Sequence, residues 1–347
     1  MKNFLLLNIE SSGQPGTRYL SKFSGSSSVL IKTPTRKIIL TDGRYTDQAR
    51  LEAPEWEVRT IDRSGYLANV IATLKELKIA KIELDSERTS HELVRRLSDF
   101  EIIAKPNFLQ ELRITKAEDQ VAKIKASAQV AISAFTKLHI KAGMTERQVA
   151  TELEYLMRRE GADGIAFDTI VVSGTRTALP HGKPTDKTLA NGELVTIDFG
   201  CFKDGYACDI TRTIALGEVS PKLREIYDVV HEAQARGCKA IKAGITGREV
   251  DAVCRDYITE RGYGEYFIHG TGHGLGMEVH ELPYINHSND TPLPVGAVIT
   301  CEPGIYIEGL GGVRIEDDLV VTVEGSINLT SSLVASPPPM PAQRPSS

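Results

Sequence analysis

AGMTERQVATELEYLMRREG, residues 142–161, and AGITGREVDAVCRDYITERG, residues 243–262, read as two versions of one segment. Ala, Gly, Thr, Arg, Val and the closing Gly coincide at an offset of 101 residues. Each copy has a threonine where a helix N-cap belongs and a glycine where the helix must stop, so both spell a helix with matching signals. The likeness continues downstream. GELVTIDFG (192–200) matches GAVITCEPG (296–304), with Gly192, Thr196 and Gly200 against Gly296, Thr300 and Gly304, and Asp198 against Glu302. GYACD (205–209) then matches GVRIE (312–316), with Asp209 against Glu316. Matches that recur in one order fit poorly with chance similarity between helix caps. This part of the chain therefore holds two similar halves, each a helix followed by a hairpin, in an α/β (α+β) protein.

The hairpins carry carboxylates at corresponding places. LVTIDFG and YACDITRTI read as strands joined by a turn around Lys203, Asp204 and Gly205, which predicts Asp198 directly across from Asp209. Glu302 and Glu316 are equidistant from Gly309 in the turn EGLGG, which predicts the same pairing. Like charges directly opposite on neighbouring strands destabilise a sheet, so something positive must lie between them. A single acid on a strand is ordinarily a solvated or salt-bridged surface residue. Asp198 follows LVTI and Glu302 follows VITC, however, and an unpaired carboxylate in such an apolar run is costly. Four carboxylates on two related hairpins point to a polynuclear cation site.

Between the hairpins lies IHGTGHGLGMEVHE (268–281), with His269, His273 and His280 among Gly270, Gly272, Gly274 and Gly276. The glycines permit close backbone approach, and three imidazoles in so short a stretch are hard to explain as packing. The segment lacks the HExxH spacing of a zincin helix, and no GK[ST] follows to make it a P-loop. His181, in ALPHGKP, precedes Asp198 by 17 residues and His280 precedes Glu302 by 22, so these two hold roughly corresponding places.

The rest of the chain sets the frame. Its 347 residues suggest two domains or one large one, and 41% hydrophobic with 25% charged residues is ordinary for a globular protein. Lys and Arg number 41 against 46 Asp and Glu, a net charge of −5, which leaves no basic surplus for nucleic acid. No apolar run is long enough to span a membrane. The opening MKNFLLLNIESSG has too short an apolar run for a signal peptide. Five cysteines, Cys201, Cys208, Cys238, Cys254 and Cys301, form no CxxC pair. They predict small buried residues in a reducing, cytoplasmic setting rather than disulfides or structural zinc.

Residues 1–115 read as a non-catalytic α/β domain. FLLLNI (4–9) is a strand, SVLIKT (28–33) and KIILTD (37–42) a hairpin, and 65–78 a helix by its apolar spacing. KIELD (81–85), HELVRRLSDF and EIIAKP continue as strand, helix and strand. A long helix then follows from Thr115, with Glu118 three residues on, to a stop at Gly143. The second domain is expected over 116–335. SPPPMPAQRPSS (336–347) reads as a disordered tail.

The set LPHGKP, TIDFG, CDITRT, HGTGHGLGMEVHE, CEPGIY and GVRIEDD resembles the metallopeptidase family that contains aminopeptidase P, prolidase and methionine aminopeptidase. The resemblance covers nearly all of 116–330 and implies the "pita-bread" fold of two pseudo-symmetric halves, preceded here by a creatinase-like N-terminal domain. RYLSKFSGSSSVLI and ILTDGRYTDQA are similar to the non-catalytic domain of bacterial Xaa-Pro peptidases, and TDGRYTDQA is more like aminopeptidase P than classical prolidase. The chain opens almost at its first strand, without the initial helix usual in the family.

The resemblance further implies two divalent metal ions per subunit, manganese first, with cobalt or zinc able to substitute. Asp198 and Asp209 would bind one, with Asp209 bridging to the second. His273 and Glu302 would bind on the other side, with Glu316 bridging. Glu302 is the implied proton shuttle. His181 and His280 would hydrogen-bond the substrate and the oxyanion, with His269 also in the substrate-binding group. Arg314, two residues before Glu316 on the same strand face, would orient that carboxylate, and Thr211 stands in the same relation to Asp209. The implied activity is removal of the first residue from peptides with proline second. The alternatives are a prolidase restricted to dipeptides and, in another class, a non-catalytic binding protein on the same fold, against which the intact ligand set speaks. A homodimer is implied by the resemblance alone.

Overall fold

Apolar alternation in the N-terminal strands builds a sheet covered on both faces. The computed structural model describes residues 3–9 and 14–335. The chain parts into two compact units, Met1–Glu111 and Leu112–Ser347, slightly ahead of the boundary expected at 115/116. The proline-rich stretch 336–347 lies outside the described residues. In the first unit the strands run in the order Glu57–Thr60, Lys37–Thr41, Ser28–Lys32, Phe4–Asn8, Lys81–Asp85, Glu101–Lys105. Ser28–Lys32 is antiparallel to both neighbours, and the other pairings are parallel. Leu5 and Leu7 pack in one apolar cluster with Val29 and Ile31, while Phe4 and Leu6 pack in another with Leu30 and Ile39. That is the period of two that a strand imposes on its side chains. The hairpin and the helix Tyr66–Glu76 form as the sequence predicts. The helices Pro15–Ser21 and Thr46–Glu52 and the strand Glu57–Thr60 were not legible, because each is too short for its periodicity to register.

The second unit repeats one plan twice. A twenty-residue helix, Glu118–Lys137 or Pro221–Ala240, is followed by a fourteen-residue helix, Glu146–Arg159 or Gly247–Glu260. Both shorter helices begin on a reciprocal cap, Thr145 with Gln148 and Thr246 with Glu249. Past their ends, Gly161 and Gly262 take φ of 104° and 85°, the left-handed conformation that closes a helix at low cost in glycine. Even an isolated bridge recurs, Thr145 with Thr188 and Thr246 with Pro292. Each half then lays down an antiparallel sheet. The first is Ile210–Leu216, Glu193–Phe199, Ile170–Ser173, in that order. The second is Glu281–Ile285, Gly272–Gly274, Val298–Cys301, Asp317–Val321, Ser326–Asn328.

The start of the long helix differs from expectation. Thr115 pairs as a bridge with Ala297, and the N-cap is Ala117, whose N–H donates to Gln120 Oε1 at 2.9 Å. The helix ends at Lys137, before Gly143. Thr-x-x-Glu at 115–118 is a capping signature, but the bridge to the second half claims the Thr115 backbone. All five cysteines are free thiols. Four are buried and Cys238 is half-buried, and all serve two of the apolar clusters of this unit.

Candidate metal centre

The turn between Glu193–Phe199 and Ile210–Leu216 decides how the first two carboxylates meet. Asp204 and Gly205 take φ of 51° and 78°, the two left-handed residues of a tight hairpin turn, with Lys203 paired to Tyr206. Asp198 therefore lies opposite Thr211, not Asp209. The expected pairing was centred too early in the loop. The slip is two residues, so Asp209 stays on the same face and becomes a diagonal neighbour of Asp198. In the second half the register runs Val298 with Val320, Cys301 with Asp317, and Gly304 with Arg314. Glu302 and Glu316 fall in the break between these two stretches, whose register is the one predicted, and their own N–H groups donate to the Thr271 and Thr211 carbonyls.

The two hairpins bring their acids to one place with His273. One ligand atom each from Asp209, His273 and Glu316 falls within 4.8 Å of the others. His273 Nε2 is 3.3 Å from Glu302 Oε1 and 3.7 Å from Asp209 Oδ2. His273 Nδ1 lies 3.1 Å from the Gly274 carbonyl oxygen, so the ring proton belongs on Nδ1 and Nε2 is left as the lone-pair ligand. Thr300 Oγ1 accepts from His273 N–H at 3.1 Å and donates to Glu302 Oε1 at 3.3 Å, fixing both. Asp198 Oδ1, Asp209 Oδ1 and Glu316 Oε1 are buried without a hydrogen-bond partner. Orphaned carboxylate oxygens at such depth are costly unless a cation meets them. Four carboxylates and one imidazole are a donor set suited to divalent cations, so the residues fit the implied metal pair.

The electrostatics agree. Burial, and then the charges of Glu316 and Asp198, push the Asp209 carboxyl well above the usual range. Burial and the charges of Glu302 and Asp198 do the same to Glu316. Burial lifts Glu302 to about 8, with the Arg314 charge opposing. Burial and His280 push His273 down to about 3, so it is neutral and able to ligate. His280 stacks at a tilt on His273, with ring centroids 4.2 Å apart.

Arg314 is the main cation inside this cluster, and its partner corrects the sequence reading. Its Nη2 donates to Asp198 Oδ2 at 2.6 Å, its Nη1 to Tyr306 Oη at 2.9 Å and to the Pro180 carbonyl at 3.2 Å, and its Nε to Thr211 Oγ1 at 3.1 Å. Glu316 is instead held by Thr211 Oγ1 at 2.6 Å, so Arg314 reaches it only through that hydroxyl. The reason is tertiary: the strand Gly311–Arg314 packs against Glu193–Phe199 of the other half, which puts Asp198 within the fork. His269 also differs from expectation. Its Nδ1 meets the Gly270 carbonyl at 2.7 Å and its Nε2 meets Tyr306 Oη at 2.9 Å, so both ring nitrogens are engaged and it offers a substrate a wall, not a free donor. Burial pushes it down to about 4.

His181, Asp198, Asp209, His269, His273, His280, Glu302, Arg314 and Glu316 all line one cavity of 740 Å³. His181 and His280 are exposed to it, while the carboxylates and His273 form its floor. Sequence reasoning missed Tyr306, although it stands in the quoted CEPGIY. It also missed Thr300 and Asp318, whose Oδ2 accepts from Asp209 N–H at 3.1 Å. None carries a signal of its own, because Thr300 and Asp318 act on ligands from neighbouring segments and Tyr306 acts on Arg314 and His269.

A buried knot of carboxylates with one imidazole, at the floor of an open cavity between two related halves, is the arrangement of a metal-dependent hydrolase. The chain belongs to metallopeptidase family M24, which residues 122–323 match, while residues 11–114 match the Creatinase/Prolidase N-terminal domain. It is 44% identical to an X-Pro aminopeptidase of Thermotoga maritima, with a TM-score of 0.90 over 95% of each chain. It is 43% identical to an Xaa-Pro dipeptidase of Bacillus anthracis, with a TM-score of 0.91 over 98% of this chain and 94% of that one. Over 305 residues it is 41% identical to an Xaa-Pro dipeptidase of Pyrococcus furiosus, covering 85% and 87% of the two chains.

Proposed function

We propose that the protein removes the N-terminal residue from peptides with proline at the second position. The observation that carries the chemistry is the set of orphaned oxygens on Asp198, Asp209 and Glu316 around a His273 whose Nε2 is free to ligate. Asp198, Asp209, His273, Glu302 and Glu316 would hold two divalent cations, manganese first, with cobalt or zinc as substitutes. Such a pair, when bound, activates water and polarises the scissile carbonyl.

The chain's own groups supply the rest. An Xaa-Pro bond has a tertiary nitrogen with no N–H to recognise, so the pocket must read ring shape. The leaving nitrogen still needs a proton, and Glu302, beside His273, is the group we assign to carry it. His181 and His280 face the cavity, and to them we assign donation to the carbonyl oxygen as it gains charge. Arg314 holds Asp198 and, through Pro180, the loop that bears His181.

Two relatives named as Xaa-Pro dipeptidases favour the narrower reading, a prolidase. The broader one rests on the likeness of TDGRYTDQA to aminopeptidase P, and the cavity of 740 Å³ accommodates either. A reducing, cytoplasmic setting rests on the sequence expectation alone, five cysteines with no CxxC pair. Homodimerisation rests on family resemblance.

Hydrolysis of Ala-Pro, Ala-Pro-Ala and Ala-Ala-Ala with added manganese tests the proposal. Ala-Pro-Ala should be cut at its first bond, with Ala-Ala-Ala at least roughly tenfold poorer. Turnover of Ala-Pro alone would establish the prolidase, and preference for Ala-Ala-Ala would remove both.

A further inference from the structure

Two buried carboxylates outside the metal cluster do the same work in the two halves. Glu146, the first residue of the helix Glu146–Arg159, is fully buried. Its Oε1 accepts from Ser173 N–H at 2.8 Å and from Ser173 Oγ at 3.0 Å. Its Oε2 accepts from Thr185 N–H at 3.0 Å and from Thr185 Oγ1 at 2.7 Å. Arg176 Nε lies 3.2 Å from both oxygens. Ser173 ends the strand Ile170–Ser173, and Thr185 lies just past the loop 174–184 that carries Pro180 and His181. One carboxylate thus ties both ends of that loop to a helix. With this many donors, its burial is compensated and the ends are held without slack. Among the described residues His181 makes no hydrogen bond of its own, so its imidazole stands where the loop backbone puts it.

The second half solves the same problem one helical turn along. By the repeat, Gly247 stands in the place of Glu146. A Cβ there would lie 2.4 Å from the Tyr284 carbonyl oxygen, so no side chain fits. The acid is Asp251, four residues on and therefore on the same helix face. Its Oδ1 accepts from Thr271 N–H at 3.0 Å and from Thr271 Oγ1 at 2.9 Å. Arg255 donates to Asp251 Oδ2 at 2.8 Å and to the carbonyls of Phe267 at 2.8 Å and His269 at 2.6 Å. In each half, then, a helix carboxylate, an arginine and a threonine clamp the segment that delivers histidine to the cavity.

We propose that Glu146 is a positioning residue for the reaction: its carboxylate sets the loop 174–184, and through it the place of the His181 imidazole in the cavity. Asp251 is its counterpart for the segment leading to His273. What His181 does for the reaction rests on the Xaa-Pro reading above, but where it stands does not, and the test separates the two.

Glu146→Gln replaces one acceptor oxygen with an NH₂ that must face the N–H of either Ser173 or Thr185, so one end of the loop loses its tie. In the manganese enzyme kcat on Ala-Pro-Ala should fall about 10–100-fold, with KM and metal content within about twofold of wild type. The double variant Glu146→Gln/His181→Ala should be no slower than His181→Ala alone. Multiplying losses would mean that Glu146 does not act through His181 and would overturn the proposal. Histidine-selective NMR of the zinc-loaded protein, free of the paramagnetic broadening that manganese would cause, gives a reading independent of turnover: the His181 ring resonances should move while those of His273 and His280 hold. Asp251→Asn should lower metal content instead. If Glu146→Gln does not fold, Thr185→Val removes one donor to the same carboxylate and should shift the His181 resonance to a smaller degree. A wild type that cuts no Xaa-Pro peptide would end the functional reading and leave the NMR arm to decide. There, an unmoved His181 resonance overturns the positioning role.

Discussion

Arg314→Lys keeps a positive charge in the metal centre and removes the fork that distributes it. The guanidinium makes hydrogen bonds to Asp198, Tyr306, the Pro180 carbonyl and Thr211, all in a buried setting where Arg314 is 3% exposed. An ammonium can follow the strongest of these, the one to Asp198 at 2.6 Å, and must leave the other three short of a donor. At about 0.5–1.5 kcal/mol for each hydrogen bond lost, the expected cost is roughly 2–4 kcal/mol. For a unit of this size that corresponds to a Tm lower by roughly 5–15 °C. Turnover should fall further than stability suggests, about 10²-fold, because the Pro180 contact helps to hold the His181 loop. Arg314→Met makes a contrasting case. It leaves Asp198 with no counter-charge, a loss of about 3–5 kcal/mol for a broken buried pair, but a bound cation supplies the missing charge. Its Tm should therefore be far lower in EDTA than with manganese, by a wider margin than in wild type. Thermal melts with and without metal, alongside steady-state kinetics on Ala-Pro-Ala, measure all of this. An Arg314→Lys enzyme with the Tm and turnover of wild type would refute the claim that the fork, and not the charge alone, organises the site.

Chelation should abolish peptidase activity and manganese should restore it, with Asp209→Asn, Glu316→Gln and His273→Ala each losing metal by elemental analysis. His181→Ala and His280→Ala should keep metal and lose roughly 10²–10³-fold in turnover, and metal loss equal to that of His273→Ala would show that the roles are confused. Burial raises Glu302 from 4.5 to about 8 in the metal-free fold. A raised folded-state value means stability that is whole below the unfolded value and lost as pH climbs through the folded one. The Tm of EDTA-treated protein should thus fall between about pH 5 and about pH 9 while the manganese form resists, and a gap that stays constant with pH would contradict this. Gly200→Ala would put a Cβ 2.0 Å from the Cys208 carbonyl oxygen, beside Asp209. It should cost at least about 1–3 kcal/mol, roughly 2–12 °C in Tm, and an unshifted melt would show that the strand can give way there.

The two-half plan was legible in the chain because helix caps are local. Thr145, Thr246 and the closing glycines act within a turn of the residues they end, so the repeat in their spacing survives into the fold. The acids on the hairpins were legible for a similar reason: carboxylates after LVTI and VITC stand out against apolar neighbours, and the tight glycine turn at 309 gave the second register directly. The first register was misplaced because a two-residue turn at Asp204 and Gly205 and a longer one read alike until the φ angles are known. Only tertiary packing decided that Arg314 serves Asp198, that Tyr306 fills the free nitrogen of His269, and that Glu146 ties down the His181 loop. Each of those partners is distant in the chain, and an acid at the first position of a helix looks the same whether it merely faces the helix N-terminus or anchors a loop. Local chemistry therefore names the ligands, while the close approach of the two halves determines which groups hold them in place.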